Sequence, residues 1–504
     1  MAPAVVEPAP FIHRFRTARA CYVWDVNTRR ILRVSRVVWD VLEYCGRLDE
    51  AGLVARLSAS YEPEQIREAL AQIAAKREQG LLLSFRPTQV VPPSRAEVAR
   101  RLASRRRQLV LNVTDACNFR CAYCVYSDAY PQFRDHGAGA MDWRVAKAAI
   151  DDFLAHSGDT EDRVVSFYGG EPLLNLKLIR RVVTAVRKRP DASNVHFSIT
   201  TNGSLLTGEA AKFVADNHFM VVVSLDGPQR AHDRNRRTAD GCPTWEIVCR
   251  NLREFLRRYP QYETNHLLRF SAVTTVDTDL EEAAGFWSGC DFLTDRMGIV
   301  LGVQREEGGN EASASSVLAE STEWLHRDFL EAVKTGRFAR EHFQRKRWVQ
   351  ASLFNRDYML LHRRGYLTPH LPERMVLHCG CIPGQRRTFV DTKGDCYACE
   401  RVVPCAHQHL GNVLDGGVDE SRAGELVARW HAASSGACRS CWCVSHCVAG
   451  CFAVVGEDGR ITAEAKGEAC ARYRRYLDAL LRHYASVMEE NSEAFDYTAS
   501  YEMQ

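Results

Sequence analysis

Three closely spaced cysteines are the residues of this chain whose type and spacing most directly indicate chemistry. Cys117, Cys121 and Cys124 follow the pattern C-x3-C-x2-C in the run CNFRCAYC. Three thiolates at this spacing can bind three corners of a cube-shaped iron–sulfur cluster and leave the fourth iron open to a small molecule. Zinc usually takes four ligands from paired C-x2-C units, and no His or Cys follows soon after Cys124. The spacing therefore favours a cluster with an open iron over zinc or three packed thiols.

The composition fits a metalloenzyme that keeps its thiols reduced. The chain has 504 residues, enough for about three domains, and its net charge of +3 gives no reason to expect a nucleic-acid partner. Its 19 cysteines would suggest disulfides in a small secreted protein, but this chain is large. The first residues, MAPAVVEPAPFIHRF, show no charged region followed by an apolar run, and no stretch is apolar enough to span a membrane. We therefore expect a cytoplasmic protein without membrane contact.

Between residues 107 and about 303 the sequence alternates short apolar strands with amphipathic helices. The predicted strands are Gln108–Val113, Val164–Tyr168, His196–Thr200, Val221–Leu225, Arg269–Val276 and Gly298–Val303, and the predicted helices include Asp142–His156, Leu174–Lys188 and Gly208–Asn217. A strand–helix repeat of about 30 residues indicates parallel strands joined by right-handed crossovers. The pattern predicts an α/β fold, a partial (β/α)6 barrel of the TIM type. Such folds keep their chemistry in loops at the carboxyl ends of the strands.

Four polar or glycine-rich segments follow these strands at the same edge as the cysteine loop. They are Gly169–Pro172, Thr201–Gly203, Ser224–Gly227 and, shortly afterwards, Arg236. Paired glycines allow a ligand to approach the backbone, a carboxylate beside them can accept from an ammonium group, and an arginine can bind a carboxylate through two parallel hydrogen bonds. Each segment taken alone is most often a plain turn or a solvated loop. Their shared position at the strand ends indicates a common site.

The order, spacing and strand placement of C-x3-C-x2-C, GGEP and S-x-D-G resemble the radical S-adenosylmethionine superfamily over about residues 107–303. The resemblance implies a [4Fe–4S] cluster on the three cysteines of the loop, with S-adenosylmethionine bound to the open iron. Reductive cleavage of S-adenosylmethionine yields a 5′-deoxyadenosyl radical, which abstracts a hydrogen atom. The resemblance also implies roles for the matched residues: Gly169, Gly170 and Glu171 hold the methionine ammonium, Ser224 and Arg236 its carboxylate, Tyr123 lies near the adenine, and Asn202 contacts the ribose.

A second group of cysteines lies further along the chain, where residues 438–451 follow the pattern C-x2-C-x5-C-x3-C. Four thiolates at this spacing could also form a structural zinc site. Together with three flanking cysteines, they resemble the SPASM extension of peptide-modifying radical enzymes over about residues 376–475, which implies two auxiliary [4Fe–4S] clusters and three clusters in all. By position, the outer cluster falls to Cys438, Cys441, Cys447 and Cys470, and the inner cluster to Cys381, Cys399 and Cys451. Cys379 is the candidate fourth inner ligand, and the alternative is an inner iron open to substrate. Cys396, Cys405 and Cys443 fall outside the pattern.

Residues 1–90 differ in character from the barrel. A predicted hairpin, Ala20–Val26 with Arg30–Val34, precedes three predicted helices, Val37–Cys45, Glu50–Ser58 and Pro63–Gln79. The hairpin with three helices resembles the small winged-helix modules, related to a quinone-cofactor chaperone family, that bind leader peptides of ribosomally made precursors. Such modules take the leader as an added β-strand on an exposed edge. The alternative is an ordinary DNA-binding winged helix, which the mixed charge of these residues disfavours.

The sequence therefore predicts a multidomain peptide-modifying enzyme. The remaining parts are a helical linker at 91–106, the barrel at 107–316, a helical bridge at 317–375, the cysteine-rich domain at 376–475 and a terminal helix and tail at 476–504. We expect a precursor peptide with a leader as partner, an external electron donor of the flavodoxin or ferredoxin type, and a Cys thioether as product. The alternatives are carbon–carbon or carbon–oxygen cross-linking, formylglycine formation on a sulfatase, epimerisation, and a non-enzymatic metal-binding regulator. The sequence does not identify a catalytic base.

Overall fold

The N-terminal part of the chain is a three-stranded antiparallel sheet with three helices against it. The computed structural model describes residues 8–127, 130, 132–303, 317–364, 370–377, 381–447, 450–453 and 458–500. The elements are β1 (Ile12–Arg16), β2 (Cys21–Asp25), β3 (Arg30–Val34), α1 (Arg36–Tyr44), α2 (Glu50–Leu57) and α3 (Pro63–Glu78), with sheet order β1-β2-β3. Ser35 and Asp49 cap the first two helices by accepting from backbone N–H groups of the first turn. The predicted hairpin and helices are confirmed.

Strand β4 (Gln89–Val91) and helix α4 (Arg95–Ser104) follow the N-terminal part along the chain. The next six strands are parallel and form the central sheet. The strands are β5 (Gln108–Thr114), β6 (Arg163–Gly169), β7 (Val195–Thr201), β8 (Met220–Ser224), β9 (Leu268–Thr274) and β10 (Gly298–Val303). The helices between them are α5 (Trp143–Ala155), α6 (Leu176–Arg187), α7 (Gly208–Asp216), α8 (Gln229–Asn235), α9 (Trp245–Arg258) and α10 (Leu280–Gly289). All neighbouring pairs from β5 to β10 are parallel, so the predicted α/β architecture is confirmed. It was predictable because these strands are short apolar runs in a sheet that helices cover.

The C-terminal part begins with helices and continues with short strands. Its elements are α11 (Val317–Lys334), α12 (Arg337–Glu341), α13 (Trp348–Gln350), α14 (Arg356–Arg363), β11 (Arg374–Val376), β12 (Thr388–Val390), β13 (Asp395–Tyr397), β14 (His409–Asn412), α15 (Glu420–Ala432), α16 (Ser435–Cys438) and α17 (Ala463–Glu490). The predicted terminal helix starts earlier than expected because Thr462 caps it, accepting from the Ala465 N–H at 3.1 Å. Cys470 therefore lies on a helix. In the part of the chain that the structure describes, no helix has the length and apolar character needed to cross a bilayer.

Two strand pairings that the sequence did not predict connect distant parts of the chain. Strand β11 pairs in parallel with β4, and β12 pairs in parallel with β5. Through β12, the antiparallel strands β13 and β14 extend the central sheet to nine strands, in the order β10-β9-β8-β7-β6-β5-β12-β13-β14. Each of the added strands has only three or four residues. Strands this short show no readable period of two, and β11 and β12 pair with strands that are distant in sequence.

The N-terminal sheet packs directly on the second group of cysteines, at residues 438–451, and on α17. The ring of His13 in β1 stacks on Trp442, which lies between two cysteines, at 3.6 Å between centroids. His13 Nε2 also lies 2.7 Å from Asp478 Oδ1 in α17, and Tyr22 donates to Glu489 at 2.8 Å. Strand β1 was not predicted because its sequence, IHRFR, has no clear apolar alternation. Its partners in β2 and α17 supply the contacts that its own sequence does not reveal.

This interface gives a first testable expectation. His13→Ala removes an aromatic stack and a partly buried hydrogen bond, so we expect the free energy of local opening at β1 to fall by about 1–2 kcal/mol. Native-state hydrogen exchange of Ile12–Arg16 measures this change. Arg19→Ala is the matched control, because Arg19 is 61% exposed in its pairing with Glu490 and should alter protection by less than about 1 kcal/mol. Unchanged exchange at β1 in the His13 variant would show that the stack contributes nothing.

Candidate cluster and cofactor site

The cysteine loop leaves the central sheet directly after β5 and is fixed against the segment that follows α8. The Arg120 N–H donates to the Arg237 carbonyl at 2.7 Å, and the Ala122 N–H donates to the Asn235 carbonyl at 2.9 Å. These are backbone hydrogen bonds, which form whatever the side chains are, and together they fix the path of the loop. The structure thus places the three cysteines at the carboxyl edge of the parallel strands, where the sequence predicted them.

Each of the three sulfurs in this loop lies beside an N–H group. The backbone N–H two residues further along donates to Cys117 Sγ and to Cys124 Sγ, each at 3.4 Å. The guanidinium Nη1 of Arg236 lies 4.0 Å from Cys121 Sγ. Donors of this kind favour the thiolate and influence the reduction potential of an iron–sulfur cluster. The donor set therefore fits a three-cysteine cluster site.

Burial disfavours the ionised form of these three thiols unless a positive charge lies beside them. It raises the pKa of Cys117 to about 12 and that of Cys121 to about 11, and it also raises the pKa of Cys124. A bound metal deprotonates its thiol ligands, so iron would supply the missing charge. Among the residues described here, no three His, Cys, Asp or Glu side chains converge as they would on one metal ion. In an iron–sulfur cluster each thiolate binds a different iron, so the three sulfurs do not converge on one point. The absence of convergence therefore applies to single-ion sites and leaves the cluster assignment open.

The paired glycines after β6 admit the backbone that leads into the cysteine loop. A Cβ atom on Gly169 would lie 2.2 Å from the Thr114 carbonyl oxygen, and one on Gly170 would lie 2.3 Å from the Ala116 carbonyl oxygen. The Gly170 N–H donates to the Thr114 carbonyl at 2.8 Å. Any side chain at either position would displace the start of the cysteine loop. The close approach seen here is to the chain's own backbone, and the contact of both glycines with the methionine ammonium stays a prediction.

Glu171 is fully buried and its carboxylate oxygens are bound by neighbours in the chain. Thr201 Oγ1 donates to Oε1 at 2.8 Å, and the Asn202 N–H donates to Oε2 at 2.7 Å. Burial raises the pKa of Glu171 to about 7, although these hydrogen bonds oppose the rise. Glu171 therefore connects the loops that follow β6 and β7. Its predicted role as an acceptor from the methionine ammonium is not tested by these contacts.

Asn202 extends the same connection to the cysteine loop. Its Nδ2 donates to Asn118 Oδ1 at 2.9 Å and lies 4.0 Å from Cys117 Sγ. Its Oδ1 accepts from the N–H and the hydroxyl of Ser204 at 2.9 and 2.6 Å. Both ends of the amide are thus engaged within the chain, and the ribose contact stays a prediction.

Arg236 forms a buried ion pair with Asp226, a residue to which the sequence gave no role. Arg236 Nε lies 3.0 Å from Asp226 Oδ2, and Nη2 lies 3.1 Å from Oδ1. Asp226 also accepts from the Val273 N–H in β9 at 2.9 Å and from the Tyr123 hydroxyl. The guanidinium carbon of Arg236 lies 5.2 Å from the centre of the Tyr123 ring. The only signal in the sequence was the Asp-Gly pair after β8, which reads as a turn.

These contacts determine which predicted ligand atoms remain for a bound molecule. Two of the three guanidinium nitrogens of Arg236, Nε and Nη2, bind Asp226, and Nη1 is directed to the cysteine loop. Ser224 is half-buried at the end of β8, and its hydroxyl has no hydrogen bond to any residue that the structure describes. Arg236 Nη1 and the Ser224 hydroxyl are therefore the atoms left for the predicted contact with a carboxylate.

The three described cysteines of the predicted inner cluster lie close together although they are far apart in sequence. Burial raises the pKa of Cys399 to about 12, and the neighbouring Glu400, Cys451 and Cys381 add to the rise. Cys381 precedes β12, Cys399 follows β13, and Cys451 is the last cysteine of the second group at residues 438–451. The predicted fourth ligand, Cys379, lies outside the described residues.

The predicted outer-cluster cysteines also gather in one region. Burial raises the pKa of Cys438, and the nearby Cys441 and Cys470 add to the rise. The Cys441 thiol, burial and the nearby Cys447 raise the pKa of Cys443, which is 1% exposed in a hydrophobic core. Cys443 therefore packs in a hydrophobic core, and Cys396 is likewise buried in the central core.

One protein-family model matches this parallel-strand region of the chain. The model of the Radical SAM superfamily matches residues 111–268, which contain the cysteine loop and the segments after β6, β7 and β8. The part of the chain that holds the site thus matches the radical SAM superfamily, and the protein is an enzyme. The match implies a [4Fe–4S] cluster and bound S-adenosylmethionine.

Several curated proteins are similar to this chain. A serine-type anaerobic sulfatase-maturating enzyme from Bacteroides thetaiotaomicron is 24% identical over 60% of this chain and 71% of its own length. A cysteine-type anaerobic sulfatase-maturating enzyme from Clostridium novyi is 30% identical over 30% of this chain and 40% of its own. The radical SAM cyclopropyl synthase TigE from Paramaledivibacter caminithermalis is 28% identical over 34% of this chain and 36% of its own. The chain thus spans less than half the length of the last two relatives.

Solved structures share the fold. The structure of native anSMEcpe with bound AdoMet has a TM-score of 0.53 and 18% identity, covering 78% of this chain and 100% of that one. The structure of anSMEcpe with bound AdoMet and the Kp18Cys peptide has a TM-score of 0.52 and 18% identity, covering 77% and 99%. The architecture deduced from the strand–helix pattern is therefore shared with these solved structures.

The buried ion pair yields a second testable expectation. Asp226→Asn leaves the Arg236 guanidinium buried without its counter-charge, so we expect the free energy of unfolding of the central domain to fall by about 3–5 kcal/mol. Urea denaturation followed by circular dichroism measures the loss. Asp277→Asn makes the same chemical change at a 65% exposed carboxylate 3.8 Å from Arg234, and it should cost less than about 1 kcal/mol. Equal effects of the two substitutions would contradict the importance of the buried pair.

Proposed function

We propose that this enzyme uses Cys117, Cys121 and Cys124 to hold the radical-generating cluster and modifies a peptide bound nearby. The observation that supports this most is the convergence of the cysteine loop with the strand-end segments that the sequence singled out. The cluster and S-adenosylmethionine, when bound, would together supply a 5′-deoxyadenosyl radical for abstraction of a hydrogen atom from the substrate. The surrounding side chains position it and exclude water from the reactive centre.

In this proposal the chain's residues bind S-adenosylmethionine with the atoms that their own contacts leave available. Ser224 and the Nη1 of Arg236 bind the methionine carboxylate, because both remain free of other strong partners. Gly169, Gly170 and Glu171 border the methionine ammonium. Tyr123 borders the adenine and Asn202 the ribose. The Asp226 pair holds Arg236 in place for this task.

We further propose that the two distant cysteine groups hold auxiliary [4Fe–4S] clusters, which makes three clusters in all. The gathering of Cys381, Cys399 and Cys451, and of the four outer cysteines with Cys443, supports this assignment. Cys379 is the candidate fourth inner ligand, with an open inner iron as the alternative. An auxiliary cluster would accept the electron that leaves the substrate as the new bond closes, and a flavodoxin or ferredoxin would reduce the first cluster. These oxidative steps favour a cross-link over epimerisation, which needs a hydrogen donor. Among cross-links we propose a Cys thioether, with carbon–carbon and carbon–oxygen links as the alternatives, because an open auxiliary iron would bind a substrate thiolate.

The N-terminal sheet supplies the proposed site for a precursor leader. Strand β3 is an edge strand, and no backbone hydrogen bond from another described element reaches it. The opposite edge, β1, is covered by α17, where Arg482 donates to the Arg16 carbonyl at 3.2 Å. An unpaired edge can accept an added strand from an extended peptide. The β3 edge is therefore the side on which a leader can extend the sheet.

A second candidate function is maturation of a sulfatase serine or cysteine to formylglycine. The similarity to two sulfatase-maturating enzymes favours it. The two candidates differ in their substrates, because a thioether consumes a cysteine thiol of a leader-bearing peptide. Labelling of the product with a hydrazide, followed by mass spectrometry, separates them, because formylglycine carries an aldehyde and a thioether does not. A small reading frame that encodes a cysteine-free precursor beside the gene would exclude thioethers.

The cluster assignment predicts the effect of removing its ligands. Changing Cys117, Cys121 and Cys124 together to Ala should abolish 5′-deoxyadenosine release with dithionite and S-adenosylmethionine, and should lower iron content by about one four-iron cluster. Anaerobic reconstitution followed by chromatography and iron analysis measures both quantities. Cys249→Ala is the matched control, because Cys249 is buried in the core away from the loop. Cofactor cleavage that persists in the triple variant would refute the assignment.

Leader capture predicts a local change in amide exchange. Adding a precursor peptide should slow hydrogen exchange at Arg30–Val34, because an added strand satisfies the outward-facing groups of β3. The edge residues Ile12–Arg16 serve as the internal control, since α17 already covers them. Hydrogen–deuterium exchange with peptide mapping measures both segments. Protection at β1 but not at β3, or none at either, would contradict this site.

A further inference from the structure

The cysteine loop reaches the protein surface between its predicted cluster ligands. Arg120 and Ala122 are exposed on either side of Cys121, which is half-buried. The Arg120 side chain folds onto the loop, where its Nη1 donates to the carbonyls of Cys117 and Phe119 at 2.7 and 2.8 Å. An exposed guanidinium group is thus in direct contact with the backbone of a predicted cluster ligand. A molecule that binds here from solvent comes close to the cluster site.

Helix α8 and the residues after it add three exposed arginines beside this point. Arg230 and Arg234 are four residues apart in α8, so they lie on the same side of the helix, and Arg237 follows the end of the helix. All three are exposed, whereas Arg236 between them and the site is buried. The Arg120 N–H donates to the Arg237 carbonyl at 2.7 Å, which joins the loop to this segment. We call Arg120, Arg230, Arg234 and Arg237 the basic surface.

Two carboxylates lie beside the basic surface and offset only part of its charge. Asp277 Oδ2 lies 3.8 Å from Arg234 Nη1, and the two side chains are 65% and 36% exposed. Asp240 belongs to the turn whose Gly241 carbonyl accepts from Arg237 Nη1 at 3.0 Å. Exposed ion pairs of this kind are weak and are screened by salt. Among these side chains, four guanidinium groups and two carboxylates leave the surface positive.

A second positive surface lies on helix α6, away from the cysteine loop in its contacts. Arg180, Arg181 and Lys188 line a groove against Trp143, and the Arg181 guanidinium carbon lies 4.2 Å from the centre of the Trp143 ring. Within the described part of the chain, none of these three cationic side chains hydrogen-bonds the cysteine loop; Arg180, for example, binds Glu209 at 3.3 Å. The two surfaces have the same sign of charge, but only the basic surface contacts a predicted cluster ligand.

We propose that the basic surface is where an acidic electron-carrier protein docks to reduce the cluster held by the cysteine loop. Small one-electron carriers of the flavodoxin or ferredoxin class are acidic, and opposite charges speed association and orient the partners. Electron-transfer encounters need only a small contact area, which suits a surface of a few side chains. The docked carrier gives up one electron to the cluster, so the carrier is oxidised as the cluster is reduced and no covalent bond forms. The inference rests on the proposed radical-generating function and names the surface through which its electron enters.

The first measurement is the binding of oxidised flavodoxin to the reconstituted holoenzyme, by isothermal titration calorimetry at low ionic strength. Arg230→Glu combined with Arg237→Glu reverses two charges of the basic surface, and neither side chain hydrogen-bonds the cysteine loop within the described residues. We expect this pair to raise Kd by about tenfold or more and to weaken its dependence on salt. Arg181→Glu combined with Lys188→Glu is the matched control, because it makes the same charge change on α6. Its Kd should stay within about twofold of the wild type.

The second measurement is the rate of 5′-deoxyadenosine release with reduced flavodoxin or with dithionite, a small reductant that needs no docking surface. The Arg230 and Arg237 pair should slow release with flavodoxin by about tenfold or more, and should leave release with dithionite within about twofold of the wild type.

Wild-type binding that does not weaken with added salt would overturn the proposal without any variant, so a folding defect cannot decide the result. Weaker binding in the α6 control pair alone would also overturn it, because the carrier would then dock on α6. Release with dithionite but flavodoxin binding that ignores the charge reversal would refute the docking surface alone. Charge-dependent binding without any release by dithionite would refute the proposed function alone.

Discussion

The ion pair between Arg236 and Asp226 is the interaction on which the geometry of the site depends. It is buried, and Asp226 also accepts from β9 and from Tyr123 in the cysteine loop. The loop after α8, two strand ends and the cysteine loop therefore share a single carboxylate. A charge pair removed from water is stable only when its hydrogen bonds are nearly complete, so its four partners must keep a fixed arrangement. The cysteine loop is held in position by this arrangement.

The contacts around Glu171 and the paired glycines extend the same rigidity to the neighbouring strands. Gly169 and Gly170 bring β6 within hydrogen-bond distance of the chain that leaves β5, and Glu171 then connects this loop to the end of β7. A site that generates a radical benefits from such rigidity, because a small displacement of the reacting atoms costs much of the rate. The strand-end residues thus serve the site as scaffold as well as candidate ligands.

The sequence revealed the cysteine pattern, the six parallel strands and the strand-end segments, because each depends on local spacing or periodicity. It did not reveal β1, whose sequence IHRFR has no clear apolar alternation. It also did not reveal β11 and β12, whose pairing partners β4 and β5 lie far away in the chain, or the short strands β13 and β14 that join the sheet through β12. Asp226 was quoted without a role, since an Asp-Gly pair is locally indistinguishable from a turn.

Strand β5 carries the cysteine loop, and the structure places it in the interior of the nine-stranded sheet, between β6 and β12. A fragment that ends before residue 388 would leave one side of β5 uncovered, and that side belongs to an apolar run, LVLNV. Uncovered apolar edges pair with other chains and aggregate. The radical-forming half and the cysteine-rich half are therefore unsuited to separate production or to exchange between relatives. A shortened form of this protein would need another strand in the place of β12, beside β5.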